Sequence, residues 1–140
     1  YLRMYQFNPI IEAGGVVTYG SDVVSDYEAS RANPFFGMQV AHTRVDPTSP
    51  MEAGPAAVGD SGARQSLDAR IALQDLLHGY TYNGALQLGI ATYAGSLESG
   101  KRANLAVLSQ DPMTIEPSKI AETTAITVMF EGQIVHGALP

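Results

Sequence analysis

Hydrophobic side chains recur at helical spacing near the start of the chain. Met4, Phe7 and Ile10 follow one another three residues apart, which predicts a helix over residues 2–13. Pro9 lies inside this helix, and proline lacks the backbone N–H that a helix interior requires. We therefore expect the helix to break at Pro9 or to start again there.

A run of β-branched and aromatic residues follows two glycines. Residues 15–20 read Gly-Val-Val-Thr-Tyr-Gly, and this composition predicts a buried β-strand. The run ends at Ser21 and Asp22, so the strand delivers a carboxylate at its C-terminal tip, where catalytic groups of barrel proteins lie. An aspartate after a strand also caps a following helix, and the spacing alone favours neither role for Asp22.

Three further segments have the period and the end signals of helices. One covers residues 34–43 and begins with proline, and a second covers residues 67–78 behind the N-capping Ser66. A third, short helix is capped by Thr81 and ends at Gly89. Helices therefore dominate the chain up to about this point.

The last third of the chain has the pattern of β-strands. Residues 104–109 form a short hydrophobic run, which predicts a strand. Residues 125–130 and 133–136 flank the dipeptide Glu131-Gly132, and two runs separated by two such residues predict a β-hairpin. A β-rich part therefore follows the helical part.

The change of pattern divides the chain into two predicted domain segments, residues 1–90 and residues 91–140. Between the predicted helices, residues 46–62 contain six prolines and glycines and no period of either kind. That composition predicts an exposed loop.

Composition and charge exclude several classes of function. The chain has 140 residues, 14 acidic against 8 basic side chains and no cysteine. Scattered cations and a net charge of −6 argue against nucleic-acid binding, which needs clustered lysine and arginine. No hydrophobic run approaches the roughly 20 residues that cross a bilayer, so we expect no membrane partner. Absence of cysteine excludes thiolate chemistry and is consistent with the cytoplasm, where we expect the protein.

The histidines do not form a local metal-binding motif. His42, His78 and His136 fall in three different predicted elements, without a His-x-His or His-x-x-x-His pair. Arg44 could bind a substrate carboxylate, but pairing with Asp46 or with the end of its own helix explains it better. Asp22 therefore remains the leading candidate for chemistry.

Four separate motifs, in order and spacing, carry a resemblance to a known family. The motifs are Tyr19-Gly20-Ser21-Asp22; Asn33-Pro34-Phe35-Phe36-Gly37-Met38-Gln39 with Thr43-Arg44 and Asp46-Pro47; Tyr80-Thr81-Tyr82-Asn83-Gly84-Ala85; and residues 95–108, Gly-Ser-Leu-Glu-Ser-Gly-Lys-Arg-Ala-Asn-Leu-Ala-Val-Leu. Together they resemble the C-terminal part of metal-dependent amidohydrolases. The branch they resemble contains N-substituted formamide deformylases and exoenzyme regulatory proteins. The family usually has aspartate where this chain has Asn104.

The resemblance implies an α/β fold. Residues 1–90 then form the C-terminal portion of a TIM-like (β/α) barrel, whose last strand ends at Asp22. Residues 91–140 then contribute strands to a small composite β-sandwich domain. In the family, the aspartate at the position of Asp22 binds the catalytic metal or its water and shuttles a proton to the leaving group.

The resemblance also implies what lies outside this chain. The family's His-x-His pair, its mid-barrel ligand and its two later histidines belong to earlier strands, and no such pattern occurs in these residues. We therefore expect a C-terminal fragment of a larger hydrolase of amide or other non-peptide C–N bonds. The expected cofactor is a divalent metal, zinc, in the full-length protein. We expect the chain alone to be inactive and to bind no metal tightly.

The expected partners are a small-molecule amide-type substrate and a further copy or a companion chain. A fragment of a barrel exposes strand edges and hydrophobic faces, which predicts a homo-oligomer or a companion chain that carries the rest of the barrel. The competing hypothesis is a catalytically silent regulatory or interaction protein on an amidohydrolase scaffold.

Overall fold

The computed structural model describes residues 6–48 and 70–138. In these ranges the chain combines helices with one small antiparallel sheet, and it is therefore mixed α/β. The α-helices are α1 (Asn8–Glu12), α2 (Pro34–Thr43), α3 (Leu73–Tyr80) and α4 (Tyr82–Gln87). The strands are β1 (Leu105–Leu108), β2 (Ala125–Phe130) and β3 (Gln133–Gly137), and 3-10 helices span Asp26–Ala32 and Pro117–Glu122.

Helix α2 has the bounds that the sequence predicts, because both of its ends carry local signals. The Asn33 side chain accepts a hydrogen bond from the Phe35 backbone N–H at 3.0 Å, which caps the helix behind Pro34. At the other end Arg44 adopts a left-handed conformation, with φ +63°, and its N–H bonds to the Val40 carbonyl. The helix therefore starts and stops through contacts within its own sequence.

Helix α3 begins later than predicted. Residues 70–72 are not helical, because contacts with α2 hold them instead. The Ile71 N–H donates to the Ala41 carbonyl at 3.2 Å, and the His42 Nδ1 bonds to the Ile71 carbonyl at 2.9 Å. Tertiary packing thus overrides the helical period over residues 70–72. The first residues of the predicted helix, and most of the predicted loop over residues 46–62, lie outside the described residues.

The new helix start expected at Pro9 is confirmed, because α1 begins after Phe7 and has Pro9 in its first turn. Residues 2–5 of the predicted helix lie outside the described residues. The predicted cap of α4 is wrong. Thr81 does not cap α4 with its side chain, since its hydroxyl donates back to the Leu77 carbonyl at 2.6 Å. Threonine often makes this backward bond at the end of a helix. Gly89, with φ +71°, does follow the end of α4.

The core joins the helices to a segment from the last third of the chain. Met38, Leu73, Leu76 and Ile71 are buried together with Ile120, which lies in the 3-10 helix Pro117–Glu122. Polar contacts reinforce this packing: the Gln39 side chain accepts from the Ala121 N–H at 2.8 Å, and the Asn33 amide donates to the Ala121 carbonyl at 3.2 Å. The predicted boundary between residues 90 and 91 stays a prediction.

The three strands form an antiparallel sheet in the order β1-β2-β3, with β2 in the centre. The hairpin between β2 and β3 is confirmed. Its two turn residues, Glu131 and Gly132, have φ values of +48° and +82°, which is the geometry of a two-residue hairpin turn. Thr127 in β2 is fully buried, whereas every residue of β3 is exposed.

The predicted strand over residues 15–20 is not formed. Residues 15–24 have no regular secondary structure, and no described strand pairs with them. A barrel strand needs parallel partners that are separated from it by long crossover connections. The two strands of the hairpin, in contrast, are only two residues apart in sequence.

None of the helices in the two described ranges combines the length and the hydrophobicity of a membrane span.

Candidate active site

Asp22 is exposed and has an uncommon backbone conformation. Its φ is +50°, in the left-handed region that L-residues other than glycine rarely occupy and that asparagine and aspartate tolerate better than most. Within the part of the chain that the structure describes, no hydrogen bond or ion pair engages its carboxylate. The helix-capping role is therefore not observed, and the carboxylate is open to a ligand. A non-glycine residue held at positive φ is a reason to suspect function.

The residues before Asp22 are held by α4. The Asn83 side-chain N–H donates to the Val17 carbonyl at 2.9 Å, and the Thr18 hydroxyl donates to the Gln87 side-chain oxygen at 2.8 Å. We call residues 15–22 the Asp22 segment. Two neighbouring residues of this segment thus bond to two residues of one short helix.

Aromatic rings fix the next residue of the segment. The Tyr19 ring stacks on Tyr80, with centroids 5.7 Å apart, and makes a T-shaped contact with Phe7, with centroids 6.2 Å apart. Gly79 makes room for it, because a Cβ there would collide with the Tyr19 ring. The wall that holds the segment is therefore made by α3, α4 and the residue that precedes α1.

A small polar cleft lies beside this wall. It is lined by residues 15, 17 and 19 of the Asp22 segment, but not by Asp22 itself. Ile11 of α1 and the α3 and α4 residues Asp75, His78 and Asn83 complete the lining. Burial raises the pKa of the Tyr19 hydroxyl, and the nearby Asp75 and Tyr80 raise it further. The buried Tyr19 hydroxyl has no hydrogen-bond partner among the described residues. Burial likewise raises the pKa of Tyr80.

The turn over residues 95–101, which precedes β1, packs on the side of α4 that faces away from the Asp22 segment. The Lys101 ammonium bonds to the Ser96 hydroxyl at 2.6 Å and to Glu98 at 3.1 Å. Hydrogen bonds from Ser96 and Lys101, together with the charge of Lys101, lower the pKa of Glu98. The Lys101 ammonium also lies 5.5 Å from the centre of the Tyr82 ring. The third and fourth motifs of the sequence thus meet at α4.

The histidines lie on separate elements, as the sequence predicts. His42 on α2 bonds to the backbone, His78 is exposed in the last turn of α3, and His136 is exposed on β3. Across residues 6–48 and 70–138, no three His, Asp or Glu side chains are grouped so that they could hold a metal ion. Asp22 offers one carboxylate ligand, which suits a divalent metal, but it does not make a site without ligands from elsewhere.

Sequence reasoning missed the residues that hold the Asp22 segment. Asn83 and Gly79 lie 61 and 57 positions after Asp22, and neither has a chemistry that marks it as functional. The available signal is the third motif, Tyr80-Thr81-Tyr82-Asn83-Gly84-Ala85, which contains Asn83. The structure shows what one of its residues does.

Comparison with known proteins decides the family. A sequence model of the Amidohydrolase family matches residues 3–136 of this chain. The chain belongs to the amidohydrolase family. This confirms the family that the four motifs predict.

Two curated relatives agree with the assignment. The N-substituted formamide deformylase of Arthrobacter pascens is 33% identical over 72 residues, which are 51% of this chain and 13% of the relative. The imidazolonepropionase of Bdellovibrio bacteriovorus is 30% identical over 132 residues, which are 91% of this chain and 30% of the relative. The amidohydrolase chain described here thus spans less than a third of the length of either relative.

Proposed function

We propose that the complete protein hydrolyses a C–N bond of a small amide-type molecule, and that Asp22 is a metal ligand and the proton shuttle. The family match over residues 3–136 supports the reaction class. The observation that carries the role of Asp22 is its exposed carboxylate on a left-handed backbone, beyond a segment that side chains hold in place. The names of both relatives suit a small-molecule substrate.

The proposed chemistry uses Asp22 twice. A divalent metal, for which we propose zinc, would lower the pKa of the attacking water when bound. The Asp22 carboxylate accepts a proton from the water that attacks the carbonyl carbon. It then donates this proton to the substrate nitrogen as the C–N bond breaks, so that the nitrogen leaves as a neutral amine. For an N-substituted formamide, the products are one amine and one formic acid, which then releases a proton to become formate.

We propose that residues 1–90 are the C-terminal portion of a barrel and that residues 91–140 belong to a β-sandwich domain. Ile120 then packs where the two domains meet, since it lies in the core with Leu76. Large hydrophobic side chains are exposed on both parts, including Val24, which is 84% exposed, and Phe130, which is 55% exposed. The rest of the barrel, on the same or a companion chain, or a second copy, is the proposed partner of these surfaces.

The test is hydrolysis by the complete protein. We expect it to release formate and aniline in equal amounts from N-phenylformamide, to lose this activity to a chelator and to regain it with zinc. The chain of 140 residues, assayed in parallel, is expected to release neither product and to bind zinc below stoichiometry. No hydrolysis of any member of a panel of N-substituted formamides and cyclic amides would contradict the proposal and favour a silent amidohydrolase scaffold.

A further inference from the structure

Helix α4 contacts the Asp22 segment through a regular pair of side chains. Asn83 and Gln87 are four residues apart, so they lie on the same face of the helix, one turn from each other. They bond to Val17 and Thr18, which are adjacent in the segment. Two side chains one helical turn apart thus hold two successive residues of the segment, which fixes both its position along α4 and its orientation relative to the helix.

The hydrogen bond from Asn83 is the less replaceable of the two, because of its acceptor and its burial. The Val17 carbonyl can only accept, so the Asn83 amide nitrogen must face it. This bond is partly buried, whereas the bond between Thr18 and Gln87 is exposed and competes with water. Of these two side chains, Asn83 therefore contributes more to the position of the segment.

Helix α4 is itself held from the other side. Gly95 packs so closely against it that a Cβ there would lie 2.5 Å from the Ala85 Cβ. Lys101 lies over the Tyr82 ring, and Ser96 and Glu98 hold the Lys101 ammonium. Because these contacts hold α4 on the side that faces away from the Asp22 segment, the helix is a rigid support for the segment on its other side.

We propose that Asn83 is a positioning residue for Asp22. The inference rests on the proposed function, because it assigns Asn83 a role in the reaction that Asp22 performs. The segment continues from Val17 through Tyr19 to Asp22, and the carboxylate has no described partner that could correct a displacement. Loss of the Asn83 donor therefore moves the catalytic carboxylate.

The first experiment is Asn83→Asp in the complete protein. This change keeps the shape of the side chain but removes the donor, so that an acceptor faces the Val17 carbonyl. A displacement near 1 Å at a reacting group costs about 100-fold in rate. We expect kcat for N-phenylformamide to fall by about 10- to 100-fold, with KM within about twofold, because the Asn83 amide N–H is already engaged by the Val17 carbonyl. Asn83→Ala, which adds no charge near Asp75, is expected to act in the same direction.

The matched control is Asn33→Asp. Asn33 also donates its amide to a distant backbone carbonyl, that of Ala121, and its cap to Phe35 uses an oxygen that aspartate retains. The control thus loses the same type of bond, but at a contact that involves neither the Asp22 segment nor α4. We expect a lower melting temperature with unchanged kcat. Equal losses of kcat in both variants would show a merely structural role for Asn83.

The decisive comparison is a double-mutant cycle with Asp22→Asn. If Asn83 acts through Asp22, Asn83→Asp lowers kcat in the wild-type background but causes little further loss in the Asp22→Asn background. Fully multiplicative losses would overturn the inference and leave the role of Asp22 intact.

Limited proteolysis separates this inference from the proposed function. In Asn83→Asp we expect faster chymotrypsin cleavage after Tyr19, and in Asn33→Asp no change there. If the complete protein hydrolyses no amide, the proposed function fails, and the cleavage rate still reports whether Asn83 holds the segment. An unchanged cleavage rate in Asn83→Asp would overturn the positioning role whatever the activity.

Discussion

The hairpin and the Asp22 segment are held in place by different kinds of contact: backbone hydrogen bonds between neighbouring strands in the hairpin, and side chains of distant residues in the segment. Strands β2 and β3 pair with each other, and the β-bulge in their register is accommodated within the hairpin itself. In the Asp22 segment, side chains take that role: Asn83 bonds to the Val17 carbonyl, and Tyr19 packs between Phe7 and Tyr80. The hairpin is therefore a local structure, and the segment depends on residues more than 60 positions away.

Because of this difference, we expect substitutions in the hairpin to change stability alone, and substitutions around the Asp22 segment to change activity as well. A change within the hairpin acts on the sheet, which carries no candidate catalytic residue. A change in α3 or α4 acts on the residues that precede Asp22 and reaches the proposed chemistry. Glycines provide the cleanest comparison, because the hairpin and α3 each contain one at which a Cβ would collide with a neighbour.

We expect the largest loss of stability from Gly137→Ala. Gly137 has φ +69°, and a Cβ there would collide with the Ile126 carbonyl, which is backbone and cannot move aside. Overpacking and the left-handed conformation together are expected to cost about 3 kcal/mol. Hydrogen exchange over residues 125–137 and the melting temperature of the complete protein measure this effect, while kcat stays unchanged. Gly100→Ala, at φ +91° in open space, is the control and should cost about 1 kcal/mol.

We expect a smaller loss of stability from Gly79→Ala, but with a loss of activity. The new Cβ displaces the Tyr19 ring, which costs about 1–2 kcal/mol, since the gain in helix propensity offsets part of the collision. The displacement moves the Asp22 segment, so kcat falls by about tenfold or more. Gly84→Ala in α4 is the control, because its Cβ meets nothing closer than 3.8 Å. Unchanged kcat in Gly79→Ala would contradict the coupling between this wall and Asp22.

The smallest effect is expected from Tyr19→Phe, and it has the opposite sign. The change removes a buried hydroxyl that has no described partner, so the free energy of unfolding should rise by about 1 kcal/mol. Because folding raises the pKa of Tyr19, this hydroxyl ionises first in the unfolded chain. Its ionisation leaves the stability of the wild type unaffected below about pH 10 and lowers it as the pH rises through the raised pKa of the folded state. Tyr19→Phe should therefore lose less stability than wild type above pH 10 in denaturant titrations. A destabilised Tyr19→Phe at pH 7 would show that the hydroxyl has a partner.

The same division explains what the sequence could predict. The hairpin and α2 follow from residues next to them, the turn Glu131-Gly132 and the cap at Asn33. The start of α3 was predicted wrongly, because contacts of Ile71 with α2 decide it. The strand over residues 15–20 has the right composition, but its pairing depends on partners that are not adjacent in sequence.

The candidate site divides in the same manner. Asp22 could be identified from the sequence, since a carboxylate after a hydrophobic run and the four motifs both indicate it. The residues that hold it could not, because the spacing between Val17 and Asn83 carries no period or motif that predicts their contact. Side-chain bonds between distant segments are set by tertiary packing alone.

The rate of Asp22→Asn in the complete protein tests the central claim most directly. Asparagine tolerates the left-handed backbone of Asp22, and the exposed carboxylate makes no described bond, so the melting temperature of the metal-free protein should not change. Loss of the proton shuttle predicts a fall in kcat for N-phenylformamide by about 100- to 10,000-fold. A variant that keeps the wild-type kcat would contradict the account.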